Sequence, residues 1–83
     1  MFFLNLYLFH TSGCHLCELA EAEVAVLPKK FTFNLILSDI ADSDTLMQRY
    51  DVRIPVLKLE GCVQDLGWPF TVDDIATYLE RHA

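Results

Sequence analysis

His10-Thr11-Ser12-Gly13-Cys14-His15-Leu16-Cys17 is the stretch on which the fold turns. Before it, Phe3 to Phe9 is an almost unbroken apolar run, the pattern of a strand covered on both faces. After it, Leu16, Ala20, Val24 and Leu27 recur at helical spacing, with Glu18 and Glu21 pointing away. Glu23 lies near the edge of that stripe, Leu19 and Val26 fall outside it, and Pro28 stops the helix. The reading is a strand, a four-residue loop His10–Gly13, then a helix from about Cys14 to Leu27. Two cysteines stand where the helix begins.

Farther along, Phe31, Phe33, Leu35 and Leu37 alternate with Thr32, Asn34, Ile36 and Ser38, which predicts a second strand. Asp42 or Ser43 can cap a short helix carrying Leu46, Met47 and Tyr50. Ile54–Leu59 and Cys62–Leu66 read as two short strands joined by a two-residue turn, Glu60-Gly61, with Gly61 free to take positive φ. Thr71 with Asp74 makes a capping-box start to a last helix, Val72 to His82, with Ile75, Ala76 and Leu79 inward and Arg81 and His82 at the cation-favouring end. The order is β-α-β-α-β-β-α. The first β-α-β demands a parallel pair with a right-handed crossover, and the closing hairpin is antiparallel. The expectation is an α/β domain spanning residues 1–83, with a four-stranded mixed sheet and helices on both faces.

Composition narrows the chemistry. The 83 residues are 53% apolar and 22% charged, which suits one small globule and is too apolar for disorder. Twelve acids against six bases give a net charge of −6, and Lys29, Lys30, Arg49, Arg53, Lys58 and Arg81 are scattered along the chain. A nucleic-acid surface or an anionic membrane surface needs clustered cations, so neither is expected as a partner. The opening Met1-Phe2-Phe3-Leu4 has no basic leader or cleavage site, and no run reaches the ~20 apolar residues of a membrane helix. Three cysteines, two of them close together, do not form a secreted disulfide framework. The expected compartment is the cytoplasm, and the expected state a monomer.

The placement of Cys14 and Cys17 has a chemical reason. Thiol–disulfide exchange needs a thiolate, and a free cysteine has a pKa of about 8.5. Unpaired N–H groups at a helix N-terminus favour an anion at Cys14, and one helical turn brings Cys17 round to the same side. Cys14 then attacks and Cys17 resolves. Lowering the first pKa from about 8.5 to about 7 raises the neutral-pH thiolate about fifteenfold. The loss of basicity returns about fivefold of that, so attack quickens only about threefold. The same shift favours the reduced form by about 2 kcal/mol, so the helix end sets redox poise more than speed. Protonated His15 would push the same way, whereas a solvated spacer is its other reading, and Glu18 pushes oppositely. A structural zinc site needs four ligands, and Cys62, His10, His15 and His82 supply no second paired spacing, so no metal is expected. Cys62 reads most simply as a small core residue on the hairpin.

His10–Cys17, then Tyr50-Asp51-Val52-Arg53-Ile54-Pro55-Val56, then Gly67-Trp68-Pro69-Phe70, resemble the glutaredoxin branch of the thioredoxin superfamily over essentially the whole chain. Within it the chain is similar to a family of short single-domain glutaredoxin-like proteins. The resemblance implies a thioredoxin-like fold and a cis peptide bond before Pro55, with Ile54-Pro55 presenting substrate to the dithiol. It implies a thiol–disulfide oxidoreductase acting on a protein disulfide or a glutathione-mixed disulfide, with the Cys14–Cys17 disulfide as its redox group and glutathione as a candidate reductant. Three positions depart from the branch. No Lys or Arg precedes Cys14, Arg53-Ile54 stands where Thr-Val is usual, and Gly67-Trp68-Pro69-Phe70 replaces a Gly-Gly pair and an acid. Arg53 becomes the substitute anchor, or else a solvated surface arginine. Trp68 and Phe70 are read either as a substrate platform or as packing between the last strand and helix. Two rival classes remain: iron–sulfur or metal carriage by a Cys14-linked dimer, and a non-catalytic binding module using the groove between Arg53 and Trp68.

Overall fold

Four strands, β1 (Leu4–His10), β2 (Phe33–Asp39), β3 (Val56–Leu59) and β4 (Leu66–Gly67), make one sheet in the order β2-β1-β3-β4. This computed structural model describes residues 4–83; Phe3, expected to open the first strand, lies outside the described residues. β1 pairs in parallel with β2 and antiparallel with β3, and β3 pairs antiparallel with β4. Three helices complete the fold: α1 (His15–Ala25), α2 (Asp44–Tyr50) and α3 (Val72–His82), with a 3-10 turn at Ile40–Asp42. This is the expected α/β architecture.

β1 sits between two strands and is covered on both faces, which explains its continuous apolar run. Leu6 and Leu8 point into a core with Ala20 and Val24 of α1 and with Ile75, Tyr78 and Leu79 of α3. Phe9, one step out of phase, points the other way into a second core with Ile40, Tyr50 and Val56. There the Phe9 and Tyr50 rings stack at 4.4 Å, an arrangement worth about 1 kcal/mol beyond the area it buries.

Several boundaries differ from the sequence reading. α1 is shorter, and its buried face is Cys17, Ala20 and Val24, while Leu16 stands 45% exposed. Leu16 occupies the first turn, where the inward direction is taken by Cys17. β2 starts at Phe33, because Phe31 is held in a turn by its N–H donating to the Pro28 carbonyl. Leu37, in phase with the half-buried Phe33 and Leu35, is exposed on this edge strand. Ser43 is the cap of α2, accepting from the Leu46 N–H, and Met47 faces solvent. In α3 the inward residues are Ile75, Tyr78 and Leu79, and Ala76 is only half-buried.

The largest correction concerns the hairpin. Glu60-Gly61 does form the expected tight turn, with Gly61 at a positive φ of 81° and the Cys62 N–H donating to the Leu59 carbonyl at 3.0 Å, yet it does not join two paired strands. β3 and β4 pair through Val56 with Gly67 and Leu57 with Leu66, so residues 60–65 form a loop and Cys62–Asp65 is not strand. Side chains from elsewhere hold that loop. The Tyr78 hydroxyl accepts from the Leu59 N–H at 3.1 Å and donates to the Gln64 carbonyl at 2.6 Å. Glu60 reaches back to β1, accepting from the Tyr7 hydroxyl at 2.8 Å and the Asn5 amide at 3.3 Å.

Candidate active site

The loop from β1 into α1 places the dithiol. Gly13 takes φ +75°, a left-handed conformation that a side chain resists, and it turns the chain so that Cys14 becomes the cap of α1. Cys14 itself is extended, at φ −91° and ψ 101°, and its Sγ accepts from the Cys17 N–H at 3.1 Å. Sulfur thus takes the capping role usually filled by a serine oxygen, and the helix N-terminus faces it as the sequence implies. Cys14 and Cys17 are joined in a disulfide with Cα atoms 5.2 Å apart. Cys17 is 5% exposed, against the half-buried Cys14, so Cys14 is the more accessible of the two sulfurs.

The surroundings of the pair carry negative charge. A depression of about 170 Å³ beside it is lined by His10, Ser12, Gly13, Cys14, Cys17, Glu18 and Glu21 among others, and its carboxylates are Glu18 and Glu21. His15 and Glu18, expected to pull on Cys14 in opposite senses, face each other at 3.5 Å with side chains 79% and 80% exposed. At such exposure solvent screens the pair strongly.

The peptide bonds Ile54–Pro55 and Trp68–Pro69 are both cis. Val56 pairs with Phe9, so the β1–β3 register sets Pro55 at the end of the sheet from which His10 leads into the dithiol loop. The Trp68 N–H donates to the Pro55 carbonyl at 3.2 Å, which ties the two segments together. The Ile54 N–H is already committed to the Tyr50 carbonyl at 3.0 Å. Trp68 is half-buried, packed edge-on against the buried Phe70 at 5.0 Å. Leu19, which had no place in the inward stripe of α1, lines with Trp68 and Pro69 an apolar depression of about 500 Å³.

Arg53 is the residue whose surroundings the sequence least foretold. Its guanidinium makes a two-pronged ion pair with Asp65, at 2.6 and 3.0 Å, and stands 5.7 Å over the Tyr50 ring. Hydrogen bonding to Asp65 raises the Arg53 pKa, and the same bond holds the Asp65 carboxyl below its ordinary range. Arg53 lines a different depression from that of Cys14, one it shares with Cys62. Glu23 also has an unforeseen part: its carboxylate accepts from the Val72 N–H at 3.0 Å, at the start of α3. Its position at the edge of the apolar stripe was the available signal.

A sheet in this order, with a cysteine pair opening the first helix, defines a thioredoxin-like domain carrying a redox-type dithiol. The chain belongs to the family described as Glutaredoxin-like domain (DUF836), whose model matches residues 5–80. Among solved structures it is similar to protein XcR50 from X. campestris, at 28% identity, covering 94% of this chain and 99% of that one with a TM-score of 0.77. It is similar also to protein Ne2328 from Nitrosomonas europaea, at 30% identity, 94% and 93% coverage and a TM-score of 0.78. A malarial protein, 16% identical over 98% of each chain with a TM-score of 0.72, shares the fold. No curated protein matches the chain significantly. Family and cysteine pair together fit a thiol redox role.

Proposed function

We propose that the protein is a dithiol–disulfide oxidoreductase in which Cys14 is the nucleophile and Cys17 the resolving thiol. The observation that carries this reading is the asymmetry of the pair: Cys14 caps α1 and is open to approach, while Cys17 is buried one turn beneath it. In the reduced protein the Cys17 N–H that now meets sulfur stabilises a Cys14 thiolate. That thiolate attacks one sulfur of a substrate disulfide, forming a mixed disulfide and expelling the other substrate sulfur as a thiolate. Cys17, deprotonated, then attacks the Cys14 sulfur, closes the Cys14–Cys17 bond and releases the second substrate thiolate. Two electrons pass from the protein to the substrate, and an external thiol reductant returns them.

Substrate lies against Ile54-Pro55, where the Ile54 carbonyl offers an acceptor to an extended chain because the N–H is already used. Trp68, whose N–H donates to the Pro55 carbonyl, lines with Leu19 an apolar depression. Arg53 belongs to this reading as the brace of the turn before Ile54, with Asp65 occupying the fork that would otherwise bind a carboxylate. Glu18 and Glu21 near the dithiol, without a Lys or Arg in that lining, favour a protein disulfide over the anionic glutathione adduct as substrate. The protein works as a cytoplasmic monomer in this reading, with glutathione or a dithiol protein as reductant and no metal.

Reduction of a peptide disulfide tests it. Cys14→Ser abolishes turnover while leaving the fold intact, since serine caps a helix at least as well as cysteine. Cys17→Ser accumulates a mixed disulfide on Cys14, visible as an intact-mass adduct. Full turnover by Cys14→Ser contradicts the assignment.

A further inference from the structure

Three of the chain's six basic residues converge on one depression of about 370 Å³ on the α2 side of the molecule. Arg49 reaches it from the last turn of α2, Arg53 from the turn that follows, and Lys58 from β3. Cys62 and Asp65 come from the loop between β3 and β4. This corrects the expectation of scattered cations, which holds along the chain but not in space. Asp65 is the acid in this lining, and Arg53 engages both its oxygens. Arg49 and Lys58 have no ion-pair partner among the described residues. The lining therefore carries an excess of two positive charges on a chain whose net charge is −6.

The cations act on the same spot. The Asp65 carboxyl is held below its ordinary value first by Arg53, and its remaining field comes from Lys58 and Arg49, against the opposing effect of burial. An incoming anion would meet the free fork of Arg49 and the point charge of Lys58, a pairing suited to oxygens arranged around one or two centres. No part of this lining belongs to the depression at Cys14, so the dithiol reading neither needs nor explains it.

We propose that this depression is a binding site for a small oxyanion of two or more negative charges, held by Arg49 and Lys58 over the Arg53–Asp65 pair. The ligand class is a phosphate ester or a polycarboxylate, whose shared chemistry is compact, multiply charged oxygen.

Cys62 in the wall provides the reporter. In a Cys14→Ser/Cys17→Ser protein it is the sole thiol. Its thiolate attacks one sulfur of a small aromatic disulfide, a mixed disulfide forms, and the other half departs as a thiolate with the electron pair. The measured quantity is the rate with dianionic dithiobis(nitrobenzoate) divided by the rate with neutral dithiodipyridine, a quotient from which the thiolate fraction cancels. Lys58→Gln and Arg49→Gln each lower the quotient about fivefold at low salt. Inorganic phosphate in excess lowers it in the parent and not in the variants. A quotient unmoved by both substitutions and by phosphate overturns the proposal. Amide-shift titration of the unmodified protein gives the second reading. Saturable shifts within residues 49–65, weakened by Lys58→Gln, are expected with inorganic phosphate for a phosphate-ester site and with citrate for a polycarboxylate site. Shifts with neither, or shifts equal in the variant, overturn it.

Discussion

Cys14 owes its position to Gly13 on one side and to the free N–H groups of α1 on the other, and both are properties of the residues beside it. The dithiol was legible for that reason: a strand, a glycine and a C-x-x-C at a helix start are neighbours in sequence. Arg53 was not, because its partner Asp65 lies twelve positions away across β3. The consequence of that pair is a dependence on acid. Asp65 has its pKa lowered in the fold from the ordinary 3.8, so its contribution is complete above that value and is lost as pH falls through the lower, folded one. With the pair partly open to solvent, about 1 kcal/mol is expected. Urea unfolding of the parent and of Asp65→Asn should differ by about that amount above roughly pH 5, and the difference should shrink as pH falls and the carboxyl takes up its proton.

Among the elements, α3 shows local signals at their clearest. Thr71 and Asp74 bond reciprocally, with the Asp74 carboxylate accepting from the Thr71 N–H at 2.8 Å, and the bounds Val72–His82 match the reading from sequence. The β3–β4 hairpin shows the opposite case. Cys62–Leu66 has strand-like composition, but Tyr78 from α3 and Arg53 from the turn after α2 draw Cys62–Asp65 into a loop and leave only Leu66 in the sheet, and no local pattern reports partners so distant. Leu16 was misplaced for a related reason, since the first turn of α1 is aimed by the dithiol rather than by the apolar stripe. Glu23 links α1 to α3 by adding a carboxylate to the N-terminus of the latter, where anions are favoured. Glu23→Ala should cost about 1 kcal/mol in urea unfolding and leave peptide-disulfide reduction unchanged.

For the whole molecule, the two cores on opposite faces of β1 place the dithiol, Pro55 and Trp68 at one end and the loop of residues 60–65 toward the other. Tyr78 joins α3, β3 and that loop through one hydroxyl. Burial chiefly, and the nearby Cys62, push its pKa up to about 12 from the ordinary 10.0. A phenol held neutral in the fold stabilises fully below the unfolded value, and that contribution is lost as pH rises from about 10 toward about 12. Tyr78→Phe, leaving the Leu59 N–H without its acceptor, should lose about 2 kcal/mol at neutral pH and remove the alkaline part of the stability profile.

The dithiol's chemistry is read most directly by equilibrating the protein in a series of glutathione redox buffers, quenching with acid and weighing the intact chain. One two-electron transition is expected, about 2 Da in mass, confined to Cys14 and Cys17 and absent from Cys14→Ser. A chain whose Cys14 and Cys17 stay reduced, or stay oxidised, across every buffer and without any adduct on Cys14 would contradict it.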